Sequence, residues 1–404
     1  MSLTRWLAVC WLAGQVFAQT TPAQKQVPPD FAKEAYVIER LYSRIKAEAD
    51  GNVTRDLTAE VKVLAEAGVK GFAVLNFVYT SDNEVVEIDY VRVRKPDGSL
   101  VKTPDYNIQD MPGEVTRTAP LYSDIHEKHV AVKGLGVGDV LEYQVRFRTT
   151  RPQVPGQFWY EYSFSRNSIT KDERLEINLP ADKYVKIVSP DFKPESTEEG
   201  GRRVYRWTHS NLAIKAKDPN EIPRRTPPNP DVQVTTFPSW GDVGRWYGGL
   251  QKDPVQVTPA IQAKAAELTK GLTSDDDKIR AIYRFVSLKF HYIGLDFGIG
   301  RYQPHAADDV LDNGYGDCKD KHTLLAALLN AAGIEAWPAL IHSTRKLDPE
   351  VPSPAQFNHV ITIVPRGADF VWLDTTPEVA PYRLLLLPLR NKLALVSPLG
   401  KHRS

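Results

Sequence analysis

The chain of 404 residues holds only two cysteines, Cys10 and Cys318, and two methionines. Two cysteines cannot build a disulfide framework. Charge of one sign is also lacking: 51 basic residues face 50 acidic ones, a formal net charge of +1. That balance leaves no bulk field to gather nucleic acid or an anionic membrane surface. No apolar run reaches the roughly 18 residues that read as a membrane span; Leu384-Leu385-Leu386-Leu387 is far too short. No phosphate loop or dinucleotide fingerprint follows a strand candidate, and no HExxH pair occurs. Internal repeats and low-complexity tracts are absent too. What is present is ordinary for folded protein: 42% hydrophobic and 25% charged residues exclude a mostly disordered or fibrous chain. The length accommodates two or three domains. Proline, at 30 residues, exceeds the usual level of about 5% and suggests linkers, turns and edge-strand punctuation.

The N-terminus predicts a signal peptide over 1–18. Arg5 precedes a short apolar run from Trp6 to Ala13, and Val16-Phe17-Ala18 offers a small-x-small cleavage site before Gln19. The expected destination is exported, periplasmic or secreted, with no membrane span in the mature chain. Val9 stands before Cys10 where a lipoprotein site expects a small residue, which argues against lipidation. Cleavage would remove Arg5 and Cys10, leaving 50 residues of each sign and Cys318 as the lone thiol. An unpaired cysteine in an exported protein calls for burial or for chemistry.

Residues 19–30 read as a leader, and 30–217 as a β-rich domain, whole or in two subdomains. Val86, Ile88 and Tyr90 alternate with Glu87 and Asp89, Lys95-Pro96-Asp97-Gly98 is a turn, and Leu141 to Arg148 alternates again. Asp50-Gly51-Asn52 looks like a hairpin turn, although Ile38 to Ala49 suits a strand or a helix. Short strand candidates follow at 159–164, 174–179, 183–188 and 203–207. The expectation is antiparallel and sandwich-like. Asp218 to Pro230 holds five prolines, so 218–238 reads as a linker. Helical periodicity appears only in 239–404, over Pro259–Gly271, Asp275–Lys289 with Ser274 as its cap, and a helix beginning near Cys318 and ending at Gly333. Strands return at Ala336–Ile341, His359–Val364 and Phe370–Leu373.

Three residues in this second half sit at element ends. In Gly314-Tyr315-Gly316-Asp317-Cys318-Lys319-Asp320, glycines lead into a helix whose first turn carries Cys318. The free N–H groups and partial positive charge there favour thiolate over thiol and can hold an oxyanion. His359 opens a strand and Asp374 ends the next. With Arg366-Gly367 as a two-residue turn, His359 lies opposite Asp374 on the same face. A four-residue loop keeps them on that face one diagonal step apart, whereas an odd slip separates them. A nucleophile, a base and a group to orient the base are the ingredients of covalent acyl transfer.

Tyr315-Gly316-Asp317-Cys318-Lys319-Asp320-Lys321, Asn358-His359-Val360 and Trp372-Leu373-Asp374-Thr375 resemble the transglutaminase-like core, a papain-like α+β fold, over about 240–380. The region at about 30–225 resembles the β-rich domain of unknown function that often precedes this core in exported bacterial proteins. The resemblance implies catalytic roles for Cys318, His359 and Asp374, a thioester intermediate and no cofactor. Cys318 would attack an amide carbonyl of a peptide or protein substrate, with water as acceptor for hydrolysis or an amine for crosslinking. Tyr292, Tyr302 and Gln303 are candidates for a further oxyanion donor. A non-enzymatic envelope binding or assembly role, with the core as scaffold, is the rival. Relatives often continue C-terminally, so an extension beyond Ser404 stays open.

Elsewhere, His126 and His129 stand near Asp124 and Glu127. Positions three apart in a strand face opposite sides, which argues against a metal. Phe158-Trp159-Tyr160-Glu161-Tyr162 fits a sandwich core better than a carbohydrate surface.

Overall fold

The computed structural model describes residues 31–122, 124–214, 228–294, 302–379 and 381–398. The expected signal peptide, the leader, Cys10 and residues 218–227 of the expected linker lie outside these residues.

The N-terminal half is built on strands β1 (Tyr36–Ala47), β2 (Val53–Val63), β3 (Val74–Thr80), β4 (Glu84–Arg94), β5 (Leu100–Lys102), β6 (Ile108–Pro112), β7 (Ile125–Ala131) and β8 (Val140–Thr149). It continues with β9 (Trp159–Tyr162), β10 (Thr170–Pro180), β11 (Lys186–Val188), β12 (Glu195–Glu199), β13 (Arg202–Asn211) and β14 (Val232–Thr235). Eight of them form one sheet in the order β12-β13-β10-β1-β2-β8-β4-β5. Two small sheets, β3-β7-β6 and β11-β14-β9, pack on it over separate apolar cores. One core gathers Phe77, Val93, Leu141 and Val145; the other gathers Ile45, Leu175, Ile177 and Trp207. A continuous sheet with two half-sandwiches thus stands where the sequence left one domain or two open. The expected all-antiparallel pairing needs one correction: β1 and β10 run parallel. The ambiguous segment from Ile38 is strand, and Gly51, at φ +94°, turns the β1–β2 hairpin.

Several elements escaped the pattern, among them one helix and one strand in this half. Helix α1 (Glu66–Phe72) is a single short element inside the β region, too brief for periodicity to register. Strand β14 lies within the stretch read as linker; Val-Gln-Val-Thr is a buried middle strand, masked in sequence by the prolines before it. Gly68 in α1 packs so closely that a Cβ there would sit 2.3 Å from the Ala35 carbonyl oxygen. Glycine to alanine in a helix ordinarily stabilises by up to about 1 kcal/mol. Here the clash reverses the sign, so Gly68→Ala is expected to lower stability by about 1–3 kcal/mol, read from the urea midpoint.

The second half contains α2 (Trp240–Gln251), α3 (Pro259–Leu268), α4 (Asp275–Lys289), β15 (His291–Tyr292), α5 (Ala307–Asn313), β16 (Tyr315–Gly316) and α6 (Cys318–Ala331). Strands β17 (Trp337–Ile341), β18 (His359–Arg366), β19 (Asp369–Leu373) and β20 (Leu395–Val396) form a sheet in the order β19-β18-β17-β20. Ser274 caps α4 through the Asp277 amide as expected, and Gly333, at φ +77°, follows the end of α6. Helix α6 is the hub: it packs on β18 and against α3, α4 and α5. The sequence suggested an apolar stripe on α6. Instead every residue from Cys318 to Leu329 is buried, charged first turn included. None of the described helices is long and apolar enough to cross a membrane.

Candidate active site

The α6 N-terminus is set by the glycines before it. Gly314 takes φ +75° to end α5, and a Cβ on Gly316 would lie 2.8 Å from the Asp320 Cβ, so the chain can enter the helix only with no side chain there. Asp317 is the N-cap, accepting from the Lys319 and Asp320 amides at 3.1 and 3.2 Å. Cys318 is therefore the first helical residue, where backbone N–H groups have no intrahelical partner.

His359 begins β18 opposite Ile341, and its Nε2 lies 3.2 Å from Asp374 Oδ2. The hairpin register pairs Arg366 with Asp369 and Thr362 with Leu373. The turn is therefore Gly367-Ala368, one position beyond the expected Arg366-Gly367. Parity is preserved, so His359 and Asp374 still share a face, one diagonal step apart. Asp374 Oδ1 accepts from the Thr376 amide and hydroxyl at 3.0 and 2.8 Å, and its carbonyl from the Tyr283 hydroxyl at 3.0 Å.

Electrostatics couple all three residues. Burial opposes a charge on His359, but the hydrogen bond to Asp374 and the adjoining Cys318 sulfur overcome it and raise the imidazole to about 10. Burial likewise opposes ionisation of Asp374, yet the His359 contact and the Thr376 bonds hold its carboxyl below the usual carboxylate range. With Nε2 committed to Asp374, Nδ1 is the ring nitrogen left for Cys318. The site thus brings a thiol, an imidazole and a carboxylate together in a buried setting.

Cys318 itself is only 1% exposed. Its apolar neighbourhood includes Tyr247, Phe237, Tyr302 and Phe357. Trp159 of the β-rich half meets Trp246 and Tyr302 of the core at ring-centre distances of 5.9 and 6.0 Å. The aromatic run at 158–162 therefore serves as core and as domain interface: Phe158 is buried and Trp159 faces the Cys318 cluster. A cavity of about 200 Å³ opens beside His359, lined also by Tyr292, Asn358, Asp374 and Thr376.

Of the suggested oxyanion donors, Gln303 spends its amide on the Leu250 carbonyl at 3.0 Å, Tyr302 sits in the aromatic cluster and Tyr292 lines the His359 cavity. Sequence reasoning missed Tyr247. It lies on α2, fully buried in the Cys318 cluster, and accepts from Gln251 Nε2 at 3.0 Å. It also missed the charged first turn of α6. Lys319 pairs with Asp317 through its Nζ, and Asp320 accepts from the Tyr122 hydroxyl at 2.7 Å and the His305 amide at 2.9 Å. Burial works against the Asp320 charge, but Lys319, His305 and Tyr122 together hold that carboxyl low. Asp317 is pushed up by burial and by the Asp320 charge. A signal existed in the alternation of charges in Asp317-Cys318-Lys319-Asp320-Lys321, but an exposed first turn is the usual home for such residues. Away from this site, His126 faces Asp110 at 3.4 Å and His129 faces Glu127 at 2.7 Å, each on its own carboxylate.

The comparisons agree with this arrangement. Residues 49–215 match the model of a domain of unknown function, DUF3857, and residues 262–347 match that of the transglutaminase-like superfamily. A crystal structure described as a candidate protease from Parabacteroides distasonis superposes with a TM-score of 0.72 at 18% identity, over 86% of this chain and 68% of that one. At that identity the likeness shows the fold alone. A candidate cysteine protease from Cytophaga hutchinsonii gives a TM-score of 0.25 at 15% identity, over 55% and 74% of the two chains. An M1 zinc metallopeptidase from Deinococcus radiodurans gives 0.26 at 9%, over 50% and 43%. Neither of these two superposes well enough to carry an argument. No curated protein matches the chain. The chain thus joins a β-rich domain of the DUF3857 family to a helix-and-strand core of the transglutaminase-like superfamily.

Proposed function

We propose that this protein is an exported cysteine enzyme that cleaves or transfers the acyl group of peptide or protein amides through a thioester on Cys318. The observation that carries the reading is the placement of the His359 imidazole, 3.2 Å from Asp374 Oδ2 and beside the Cys318 sulfur at the start of α6, where both neighbours favour its charged form against the pull of burial. A histidine kept charged beside a thiol is what a thiolate–imidazolium nucleophile requires.

The steps follow from the placement. The Cys318 sulfur attacks the amide carbonyl carbon, and the carbonyl electron pair moves onto oxygen. The Cys318 backbone N–H, free at the helix start, donates to that oxyanion. Collapse expels the amine, which takes its proton from His359, and leaves the acyl group on sulfur. The acceptor, water or an amine, gives its proton to His359 as it attacks the thioester, and the thiolate leaves. Asp374 holds the ring tautomer through both halves. The cavity beside His359 is the natural approach for the acceptor. The signal-peptide pattern at 1–18 supports export. Two domains, 30–217 and 239–404, are part of the same reading, with β14 in the stretch between them completing a sheet of the first.

A specific observation favours the rival reading, an envelope binding or assembly protein: Cys318 is sealed beneath aromatic side chains from both halves. One experiment separates the two. The mature protein and its Cys318→Ala variant are incubated with a mixed peptide library and quenched in acid, and the Cys318 peptide is weighed by mass spectrometry. An acylated Cys318 peptide and new products in the wild type alone are expected. A primary amine added to the mixture then appears in the products of a transferase and is ignored by a hydrolase. Identical spectra for both proteins would overturn the thioester reading and leave the binding role as the one favoured by the burial of Cys318.

A further inference from the structure

The β-rich half reaches into the nucleophile's own helix. The segment between β6 and β7 folds into two short 3₁₀ turns, the second being Pro120–Tyr122, and Tyr122 at its end is 1% exposed. The Tyr122 hydroxyl donates to Asp320 Oδ2 at 2.7 Å and accepts from the Asp317 amide at 2.5 Å. Around it, the His305 ring packs edge-on at 5.4 Å and contacts Asp320 Oδ2 at 3.0 Å through Nδ1. The Lys319 ammonium lies 5.8 Å from the Tyr122 ring centre, and the Tyr315 hydroxyl accepts from the Leu121 amide at 3.1 Å.

One hydroxyl therefore ties down two points that flank Cys318: the peptide group entering the N-cap, and the carboxylate two residues on. No other described side chain outside the core grips this helix start. A buried amide with a single partner is costly to orphan, so the contact fixes the orientation of the Asp317 peptide plane and, through it, of the Cys318 N–H.

Resting on the proposed role of Cys318, we infer that Tyr122 is a positioning residue, by which the β-rich domain completes the active site instead of merely presenting substrate. Asp317 and Asp320 transmit its hold to the nucleophile and to the amide that would face the oxyanion.

The test uses the full mature chain. Tyr122→Phe keeps the ring and removes the hydroxyl. Glu161→Gln serves as an interface control: it removes the charge of a domain-bridging ion pair, Arg345 Nη2 to Glu161 at 2.7 and 2.9 Å, which does not touch α6. For each protein, iodoacetamide modification of Cys318 is timed from pH 5 to 9, and amide hydrogen exchange is followed over residues 316–320. Tyr122→Phe is expected to slow modification about tenfold below pH 7 and to speed exchange at the Asp317 amide. Glu161→Gln should stay within about twofold of the wild type in both, even where the two variants melt at similar temperatures. Asp320→Asn, which keeps the side-chain shape, should slow modification in the same direction. The Tyr122→Phe/Asp320→Asn double variant should be no slower than the slower single, since both break one unit. Unchanged modification and unchanged exchange in Tyr122→Phe overturn the inference, as does a control that loses as much as Tyr122→Phe. If the wild-type thiol is inert and indifferent to His359→Ala, the enzymatic reading fails, and the exchange measurement alone then decides whether Tyr122 holds the helix start.

Discussion

At pH 6, Cys318 of the wild-type protein is expected to react with iodoacetamide about a hundredfold faster than in His359→Ala. An ordinary thiol ionises near pH 8.5, so only about 0.3% is thiolate at pH 6. Beside an imidazole raised to about 10, a thiol has a permanent cationic partner over the whole neutral range. A thiolate with a charged partner is favoured over one without it, and His359→Ala removes that partner. Mass spectrometry of the alkylated peptide measures both rates. Equal, slow rates, or reaction only after unfolding, would remove the basis for an activated nucleophile.

The same residues shape the pH dependence of stability. His359 sits above its ordinary value in the fold, so its contribution is complete below about pH 6.5 and is lost as pH rises through about 10. Asp374 is held low, so its contribution is present above about pH 4 and disappears as pH falls through its folded value. Thermal melting from pH 7 to 10.5 should therefore decline in the wild type and flatten in His359→Ala.

Lys319→Met is expected to cost about 3–5 kcal/mol at pH 7.5. Lys319 is 1% exposed, and its ammonium is the positive charge between the buried Asp317 and Asp320. Burial disfavours that charge, but the two carboxylates and Cys318 outweigh burial and raise it. Without it, Asp317 keeps its two cap hydrogen bonds but faces the Asp320 charge with no ammonium between them. The variant can relieve this by binding a proton in the folded state, and Asp317 is already pushed up to about 6. A carboxyl raised on folding destabilises at high pH and ceases to as pH falls. The penalty should therefore shrink between pH 7.5 and 5. Urea unfolding of wild type and variant at both pH values tests this, and a penalty that is small, or that grows on acidification, contradicts the buried-pair account.

How much of the site was legible follows from what each contact depends on. His359 and Asp374 were placed together from a hairpin argument whose turn was wrong by one position. The conclusion survived because same-face parity is unchanged by an even shift in register. Cys318 was found because glycines, a cap and an apolar helix lie consecutively, and local order governs a helix start. Tyr122 was invisible: its contact with Asp320 spans 198 positions, and nothing in Leu121-Tyr122 differs from any aromatic turn. Tyr247 was missed for the same reason, since α2 is rich in glycine and gave no clear stripe.

By itself, the sequence determined the strand-rich first half, three of the five described helices of the second, the absence of a disulfide framework and the order of thiol, imidazole and carboxylate along the chain. These are local properties, written in periodicity, turns and caps. Only the tertiary structure decided that the β-rich half and the core share one buried junction, that from across it Trp159 packs on the aromatic cluster holding Cys318 and Tyr122 bonds the start of α6, and that the charged first turn of α6 is interior. Such contacts depend on loop closure over long separations, and their energies come from desolvation and charge pairing at distances that no pattern of neighbours along the chain encodes.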